Sequence, residues 1–108
     1  LAMGGDGTSD ATSYFGDSLR ALDPLFTRRF ARLAFMVDVR ALLPRISVPM
    51  LAVHCTRDSI VPRDIGQYLR RNVPSCTLIE LEGSGHCPHL SHPRETADAI
   101  AGWLEMPA

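Results

Sequence analysis

The chain has 108 residues, of which 45% are hydrophobic and 21% charged, and its formal net charge is −1. This composition is typical of globular proteins, excludes a disordered or collagen-like chain and gives no electrostatic reason to expect nucleic acid as a partner. No apolar run approaches the roughly 20 residues of a membrane helix, so we expect no membrane partner. Three cysteines without a C-x-x-C pair favour buried free thiols in a reducing cytoplasm over a disulfide framework: Cys55, Cys76 and Cys87.

Helical patterns dominate the first third of the chain. Residues 1–10 are rich in Gly, Asp and Ser and predict a loop. From Ala11 to Val37 the pattern predicts two helices divided at Asp23-Pro24, because proline disfavours helix in the preceding residue and suits a helix start. The second helix carries one apolar stripe, made of Phe26, Phe30, Leu33 and Val37. Its opposite face, with Arg28 and Arg32, fits either a solvated surface or an anion site.

Two short apolar runs predict strands. After a helical turn over 39–43, ended by Pro44, the run over 50–55 follows Pro49, which can open a strand but cannot interrupt one. Its continuous apolar character predicts a strand buried on both faces, as in a parallel sheet. A helix over 63–71 and a second strand over 77–81 complete a parallel βαβ unit, with Ile65 and Leu69 on the buried side of the helix.

A glycine-containing loop over 83–85 and a last helix from about Pro93 complete the predicted order. The expected apolar stripe of that helix is Ala97, Ile100, Ala101 and Leu104. A two-stranded sheet is marginal in water, so we expect the chain to be the C-terminal fragment of a larger α/β domain.

An acid and a histidine follow the two predicted strands. Asp58 lies after the first strand and His86 after the second. Ligands of open parallel sheets bind at the carboxyl ends of the strands, where both residues fall. A carboxylate on one imidazole nitrogen fixes the tautomer and stabilises the imidazolium that forms when the other nitrogen takes a proton. The order of acid, then histidine, fits the α/β-hydrolase arrangement, in which the nucleophile comes first.

The strings around this pair resemble a known family. RDSIVP followed by G-x-Y-L, and then GHCPHLSHP, are similar to the C-terminal part of the α/β-hydrolases that include the plant strigolactone and karrikin receptors and the bacterial hydrolase RsbQ. The stretch over 30–49 is similar to them too. The resemblance implies the C-terminal fragment of an α/β-hydrolase fold: a last lid helix, a parallel βαβ unit and a C-terminal helix. Residues 1–37 would be a loop plus helices of the lid and the return to the core, and residues 38–108 the C-terminal part of the core.

The resemblance also implies site residues. Asp58 would be the triad acid, His86 the triad base, and Ile60 a lining residue of the substrate pocket. The nucleophilic serine of this family lies in a G-x-S-x-G turn, a string that these 108 residues do not contain. Ser84 lies between two glycines, but too close to His86 to occupy that turn. The expected function is a segment of a serine hydrolase acting on an ester or lactone, with no cofactor or metal, and we expect the 108-residue chain alone to be inactive.

Several alternatives stay open. The complete protein could be a ligand-sensing receptor of the strigolactone or karrikin type that signals through a protein partner bound at the lid, or the chain could be a non-catalytic fragment. A zinc site is an alternative for the cluster His86, Cys87, His89 and His92, although its spacing does not match known zinc motifs. Cys87 is an alternative nucleophile. The expected location is the cytoplasm, and also the nucleus if the protein is receptor-like.

Overall fold

The computed structural model describes residues 9–107, so most of the predicted loop over 1–10 lies outside the described residues. Helix α1 spans Ser9–Arg20 and helix α2 spans Pro24–Met36. The predicted division at Asp23 is confirmed, and its cause is a helix cap. The Asp23 carboxylate accepts a hydrogen bond of 2.9 Å from the Phe26 amide, while Pro24 occupies the first turn, where its missing N–H costs nothing.

The apolar stripe of α2 is uncovered in the described part of the chain. Its four residues are between 62% and 73% exposed: Phe26, Phe30, Leu33 and Val37. The rings of Phe26 and Phe30 stack on each other, with centroids 6.4 Å apart, but no described element buries them. The predicted periodicity is therefore present, whereas burial of the stripe is not.

A 3₁₀ turn spans Arg40–Arg45, and the prediction that Pro44 ends this helical turn is wrong. The amide of Leu42 donates to the Val39 carbonyl, and the amide of Ile46 donates to the Leu43 carbonyl. The first bond lies before Pro44, and the second spans it. A proline is tolerated here because neither bond uses its missing N–H.

A parallel pair of strands forms the centre of the described fold. Strand β1 spans Met50–Arg57, strand β2 spans Cys76–Ser84, and helix α3, Arg63–Asn72, connects them and packs on both. The predicted βαβ unit is confirmed. Burial of β1 on both faces is wrong for the described residues, since only Cys55 of this strand is buried. The reason is that β2 is the only described strand beside β1, which leaves the other edge of β1 unpaired among the described residues.

A bulge in β2 changes the register just before the strands end. Cys55 pairs with Leu81, but Arg57 pairs with Ser84, so β2 carries one extra residue over this interval. The hydroxyl of Thr56 accepts from the Gly83 amide at 3.2 Å and donates to the Gly83 carbonyl at 3.4 Å. The predicted loop over 83–85 therefore begins inside the strand, because a side chain replaces the regular backbone pairing.

Two helices follow the sheet, and one of them was not predicted. Helix α4 is a single turn, Pro88–Ser91, and helix α5 spans Pro93–Leu104, as predicted from Pro93. The four residues of the predicted apolar stripe lie on α5 but are exposed, whereas Thr96 is buried and Ala99 and Trp103 are half-buried. Thr96 tolerates burial because its hydroxyl donates to the His92 carbonyl at 2.8 Å.

The buried interior is small. Among the described residues, the only buried hydrophobic side chains are Cys55 in β1 and Val73 after α3. The predicted burial of Ile65 is wrong, since this side chain is exposed along a cavity, while its neighbour Gly66 is buried. None of the described helices is both long and apolar enough to cross a membrane.

Candidate active site

The acid sits in a tight turn directly after β1. One carboxylate oxygen of Asp58, Oδ1, accepts hydrogen bonds from the amides of Ile60 at 2.8 Å and Val61 at 2.9 Å. An aspartate favours this turn because its short side chain reaches the backbone amides two and three residues ahead. The side chain is only 3% exposed. The turn therefore fixes one oxygen of a buried carboxylate and leaves the other, Oδ2, for a second partner.

That second partner is His86. Nδ1 of His86 lies 2.9 Å from Oδ2 of Asp58, across 28 positions of sequence. Because an ionised carboxylate only accepts hydrogen bonds, Nδ1 carries the proton and donates it, which leaves Nε2 of the neutral ring as an acceptor. The His86 side chain is 37% exposed, so its ring is reachable while the acid beneath it is not. The structure thus brings together the two residues that the sequence pairs.

Backbone geometry at the end of β2 carries His86 to the acid. Gly83 and Gly85 have φ of 151° and 130°, a region that side chains rarely adopt. The amide of Gly85 donates to the Arg57 carbonyl at 3.4 Å, which ties the end of β2 to the residue before Asp58. The bulge and the two glycines together shape the segment that brings His86 to Asp58.

The electrostatics of the acid favour its ionised form. Burial alone raises the pKa of the Asp58 carboxyl, but the amide hydrogen bonds from Val61 and Ile60, together with the contact to His86, outweigh it. The pKa of Asp58 consequently lies below its ordinary value. The carboxylate is therefore charged at neutral pH and able to stabilise a positive charge on His86.

A third side chain reaches the same carboxylate. Nε2 of His54, in β1, lies 3.2 Å from the Val61 carbonyl oxygen and 3.4 Å from Oδ2 of Asp58. The sequence interpretation assigned this histidine no role. Its one signal is a polar side chain inside an otherwise apolar strand, four residues before the acid.

An open cavity of about 310 Å³ leads to the pair. Consecutive residues of β1 line it, which means that it follows the unpaired edge of the strand rather than one face. Three of its lining side chains are polar: His54, Asp58 and His86. The other lining residues are apolar: Met50, Leu51, Ala52, Val53, Val61, Ile65, Gly66 and Leu69.

The remaining residues that the sequence singles out, Ile60 and the histidines after His86, have other contacts. Ile60 donates its amide to the acid and its side chain is exposed, so its contact with a substrate stays a prediction. Among the described residues, no group of three or more His, Cys, Asp or Glu is placed to hold a metal ion. Nδ1 of His92 instead contacts the Ser91 hydroxyl at 2.8 Å, and His89 is exposed.

The cysteines are all free, and the expectation that all three are buried is wrong. Cys55 is buried, whereas Cys76 and Cys87 are half-buried because they lie at the margins of the sheet and of α4. Burial, with the nearby charge of Asp58, raises the pKa of the Cys55 thiol, and burial also raises that of Cys76. Neither thiol is poised to act as a thiolate.

An acid and a histidine at the ends of adjacent parallel strands are arranged as in α/β-hydrolases. A comparison with protein families agrees: the model of the alpha/beta hydrolase family matches residues 2–99. The chain belongs to the alpha/beta hydrolase family.

Relatives include plant and bacterial proteins. A probable esterase from Oryza sativa subsp. japonica is 36% identical, over 86% of this chain and 35% of its own length. The karrikin insensitive 2 receptor CA of Petunia hybrida is 33% identical over the same shares, 86% and 35%. A pimeloyl-acyl-carrier protein methyl ester esterase of Neisseria meningitidis serogroup A is 33% identical, over 94% of this chain and 35% of its own length. The resemblance to the plant receptors is thereby confirmed.

A solved structure has the same fold. A hydrolase from Oleispira antarctica superimposes with a TM-score of 0.88 at 28% identity, covering 99% of this chain and 39% of that one. The chain thus spans 35% of the length of these three curated relatives and 39% of that structure. The predicted α/β-hydrolase fold is confirmed.

Proposed function

We propose that this chain contributes the acid and the general base of a serine hydrolase that acts on an ester or lactone. The observation that carries the proposal is the 2.9 Å contact between Asp58 Oδ2 and His86 Nδ1, which leaves Nε2 of a half-exposed ring as the base. The nucleophilic serine would come from a segment outside these 108 residues. Residues 1–37 would form part of a lid over the site, and residues 38–108 the C-terminal part of the catalytic core.

The chemistry follows from the arrangement of the pair. Nε2 of His86 takes the proton of the serine hydroxyl while the serine oxygen attacks the substrate carbonyl, and Asp58 stabilises the imidazolium. The imidazolium returns this proton to the leaving alkoxide, so that an alcohol departs and an acyl-serine remains. Water then attacks the acyl-serine, with Nε2 again accepting a proton. The carboxylic acid leaves, and the serine and His86 regain their starting forms.

The cavity supports a site completed by further chain. It follows the unpaired edge of β1, where a parallel sheet continues by adding a strand, and Asp58 and His86 are among its lining residues. Strands added at this edge would end at the same carboxyl side of the sheet as the Asp58–His86 pair. An apolar wall with a few polar groups also suits a small organic ester.

The direct test is Asp58→Asn in the complete protein, assayed with p-nitrophenyl acetate. We expect kcat to fall by about 10⁴-fold with the fold retained, because the amide presents N–H to His86 Nδ1 and selects the wrong tautomer. Asp64→Asn, in the exposed first turn of α3, is the matched control and should keep kcat within about twofold. Near-normal turnover in Asp58→Asn would show that the acid is misassigned.

The 108-residue chain on its own should not hydrolyse p-nitrophenyl acetate above the rate in buffer. A base without its nucleophile and oxyanion donors lacks both the attacking atom and the stabilisation of the intermediate. Hydrolysis by the isolated chain that disappears in His86→Ala would contradict the proposal that the nucleophile lies elsewhere.

A receptor function is the second candidate, favoured by the match to a karrikin insensitive 2 receptor and by the exposed apolar stripe of α2 in the proposed lid. The two functions differ in turnover and in partner capture. A ligand that tightens a complex with a signalling protein, with less than one turnover during the lifetime of the complex, would favour the receptor. Rapid turnover without ligand-dependent capture would favour the esterase.

A further inference from the structure

His54 lies in the middle of β1, and its ring contacts the turn over residues 58–61, here called the acid turn. Its side chain is 11% exposed. Its Nε2 has two oxygen neighbours, the Val61 carbonyl at 3.2 Å and Oδ2 of Asp58 at 3.4 Å. A carbonyl and an ionised carboxylate both only accept hydrogen bonds, so Nε2 must carry the proton. The shorter contact is the hydrogen bond, and the carboxylate is a second, weaker acceptor.

This contact closes the acid turn from the side of the strand. Val61 is held at both ends, since its amide donates to Oδ1 of Asp58 at 2.9 Å and its carbonyl accepts from His54. The bond from His54 is thus an attachment of the turn that does not involve the carboxylate that the turn has to orient. Through this bond, the turn is also anchored to β1, which is an independent reference point.

The imidazole of His54 is itself tightly confined. A Cβ added to the buried Gly66 of α3 would lie 3.1 Å from Nδ1 of His54 and 3.1 Å from Cδ1 of Leu78 in β2. The glycine therefore lets α3 approach the sheet closely enough to cover the ring. Across the sheet, Glu80 is the register partner of His54, and its carboxylate is held by Arg63. The ring has little room to rotate away from the turn.

We propose that His54 is a positioning residue that holds the turn between Asp58 and Val61, and thereby sets the direction in which Oδ2 meets His86. This role rests on the proposed function of the Asp58–His86 pair and adds a residue to it. Oδ2 lies between two imidazole donors, Nδ1 of His86 at 2.9 Å and Nε2 of His54 at 3.4 Å. A carboxylate with one oxygen on two amides and the other between two rings has no freedom to turn.

The test compares three substitutions in the complete protein. His54→Leu keeps the size and removes the donor, so kcat should fall about tenfold with KM unchanged, because a misdirected Asp58 stabilises the His86 imidazolium less in the transition state. His54→Gln can place an amide donor where Nε2 lies and should keep kcat within about twofold. His54→Asn is too short to reach the Val61 carbonyl and should behave like leucine. His89→Leu, at an exposed histidine, is the matched control and should leave kcat unchanged.

A spectroscopic readout separates positioning from mere folding. Long-range ¹H–¹⁵N spectra should show His86 protonated at Nδ1 in the wild type and in His54→Gln, and a mixture of tautomers in His54→Leu and His54→Asn. If circular dichroism shows that His54→Leu does not fold, the comparison of His54→Asn with His54→Gln tests the positioning role instead. Equal kcat and equal His86 spectra in those two variants would overturn the inference.

Failure of this inference is distinguishable from failure of the proposed function. A protein whose turnover survives Asp58→Asn refutes the function itself. A protein that loses turnover in Asp58→Asn but keeps it fully in His54→Leu refutes only the role of His54.

Discussion

The two oxygens of Asp58 have different tasks. Oδ1 is occupied by the amides of Ile60 and Val61, and Oδ2 by His86. The backbone hydrogen bonds lower the pKa of the carboxyl although the side chain is buried, so the charge needed by His86 is maintained by the turn itself. The charge of Asp58 therefore affects both the stability of the folded protein and the proposed role of His86 as a base.

This linkage predicts how stability depends on pH. Because the pKa of Asp58 is lower in the folded protein, its charge stabilises the fold fully above the ordinary pKa of an unfolded aspartate, about 3.9, and the contribution is lost as the pH falls through the folded value. Wild type should therefore exceed Asp58→Asn in free energy of unfolding by the largest margin above about pH 4. Urea unfolding between pH 2 and 6 measures the margin, and a margin independent of pH would refute the assignment.

The sequence predicts this site unevenly. Asp58 and His86 are found by their place after two apolar runs, since parallel strands expose their carboxyl ends on one edge. His54 is not found, because the contact that gives it a role depends on the turn folding back over the strand. No spacing rule within a strand anticipates a side chain that meets the carbonyl of the residue seven positions later.

At the scale of elements, the end of β2 is the sensitive part. The Thr56 hydroxyl takes over the pairing with Gly83, and the two glycines with positive φ then redirect the chain to His86. Bulges commonly re-aim a side chain near an active site, and this one acts on the proposed base. A change at Gly83 should therefore act on fold and function together.

Two glycines offer a matched experiment with opposite expected signs. Gly83→Ala introduces a Cβ that would collide with the ring of His92 at an unfavourable φ of 151°, and should lower the free energy of unfolding by about 1–3 kcal/mol and reduce turnover. Gly102→Ala, in α5 with nothing within 4 Å of its added Cβ, should raise stability by about 0.5–1 kcal/mol and leave turnover unchanged. Thermal unfolding measures both, and destabilisation by Gly102→Ala that matches Gly83→Ala would refute the argument.

The starts of the helices and strands follow from local sequence rules, whereas the exposure of their side chains does not. Pro24, Pro49 and Pro93 mark the starts of α2, β1 and α5, because each fixes φ and lacks a donor. The predicted apolar stripe of α5 is exposed in the described structure, since periodicity finds an apolar face but not what covers it. In the structure the buried position belongs to Thr96, whose hydroxyl donates to the carbonyl of His92, the N-cap residue of α5.

At the scale of the whole molecule, the main feature is that the described residues include few buried hydrophobic side chains. Cys55 and Val73 are the only buried hydrophobic side chains among residues 9–107, and the aromatic stripe of α2 is open. Contiguous exposed apolar surface is typical of a contact site rather than of a free surface. The described fold thus has surfaces ready to be covered on α2 and along the edge of β1.

This exposure predicts the behaviour of the 108-residue chain in solution. It should bind the dye 1-anilinonaphthalene-8-sulfonate, because exposed apolar side chains offer the dye a surface. Phe26→Ser combined with Phe30→Ser should reduce the fluorescence, whereas Arg28→Ser, on the opposite face of α2, should not. Fluorescence at the level of buffer for the unsubstituted chain would contradict the exposed stripe.

The acid turn also bears on the order in which the site assembles during folding. Its contacts join residues three and seven positions apart, whereas Asp58 meets His86 across 28 positions. Closing a short loop loses less chain entropy than closing a long one, so the turn can form while β2 is still unpaired. The carboxylate would then be oriented before its histidine arrives, and the last event in building the site would be the docking of His86 on an acid already in place.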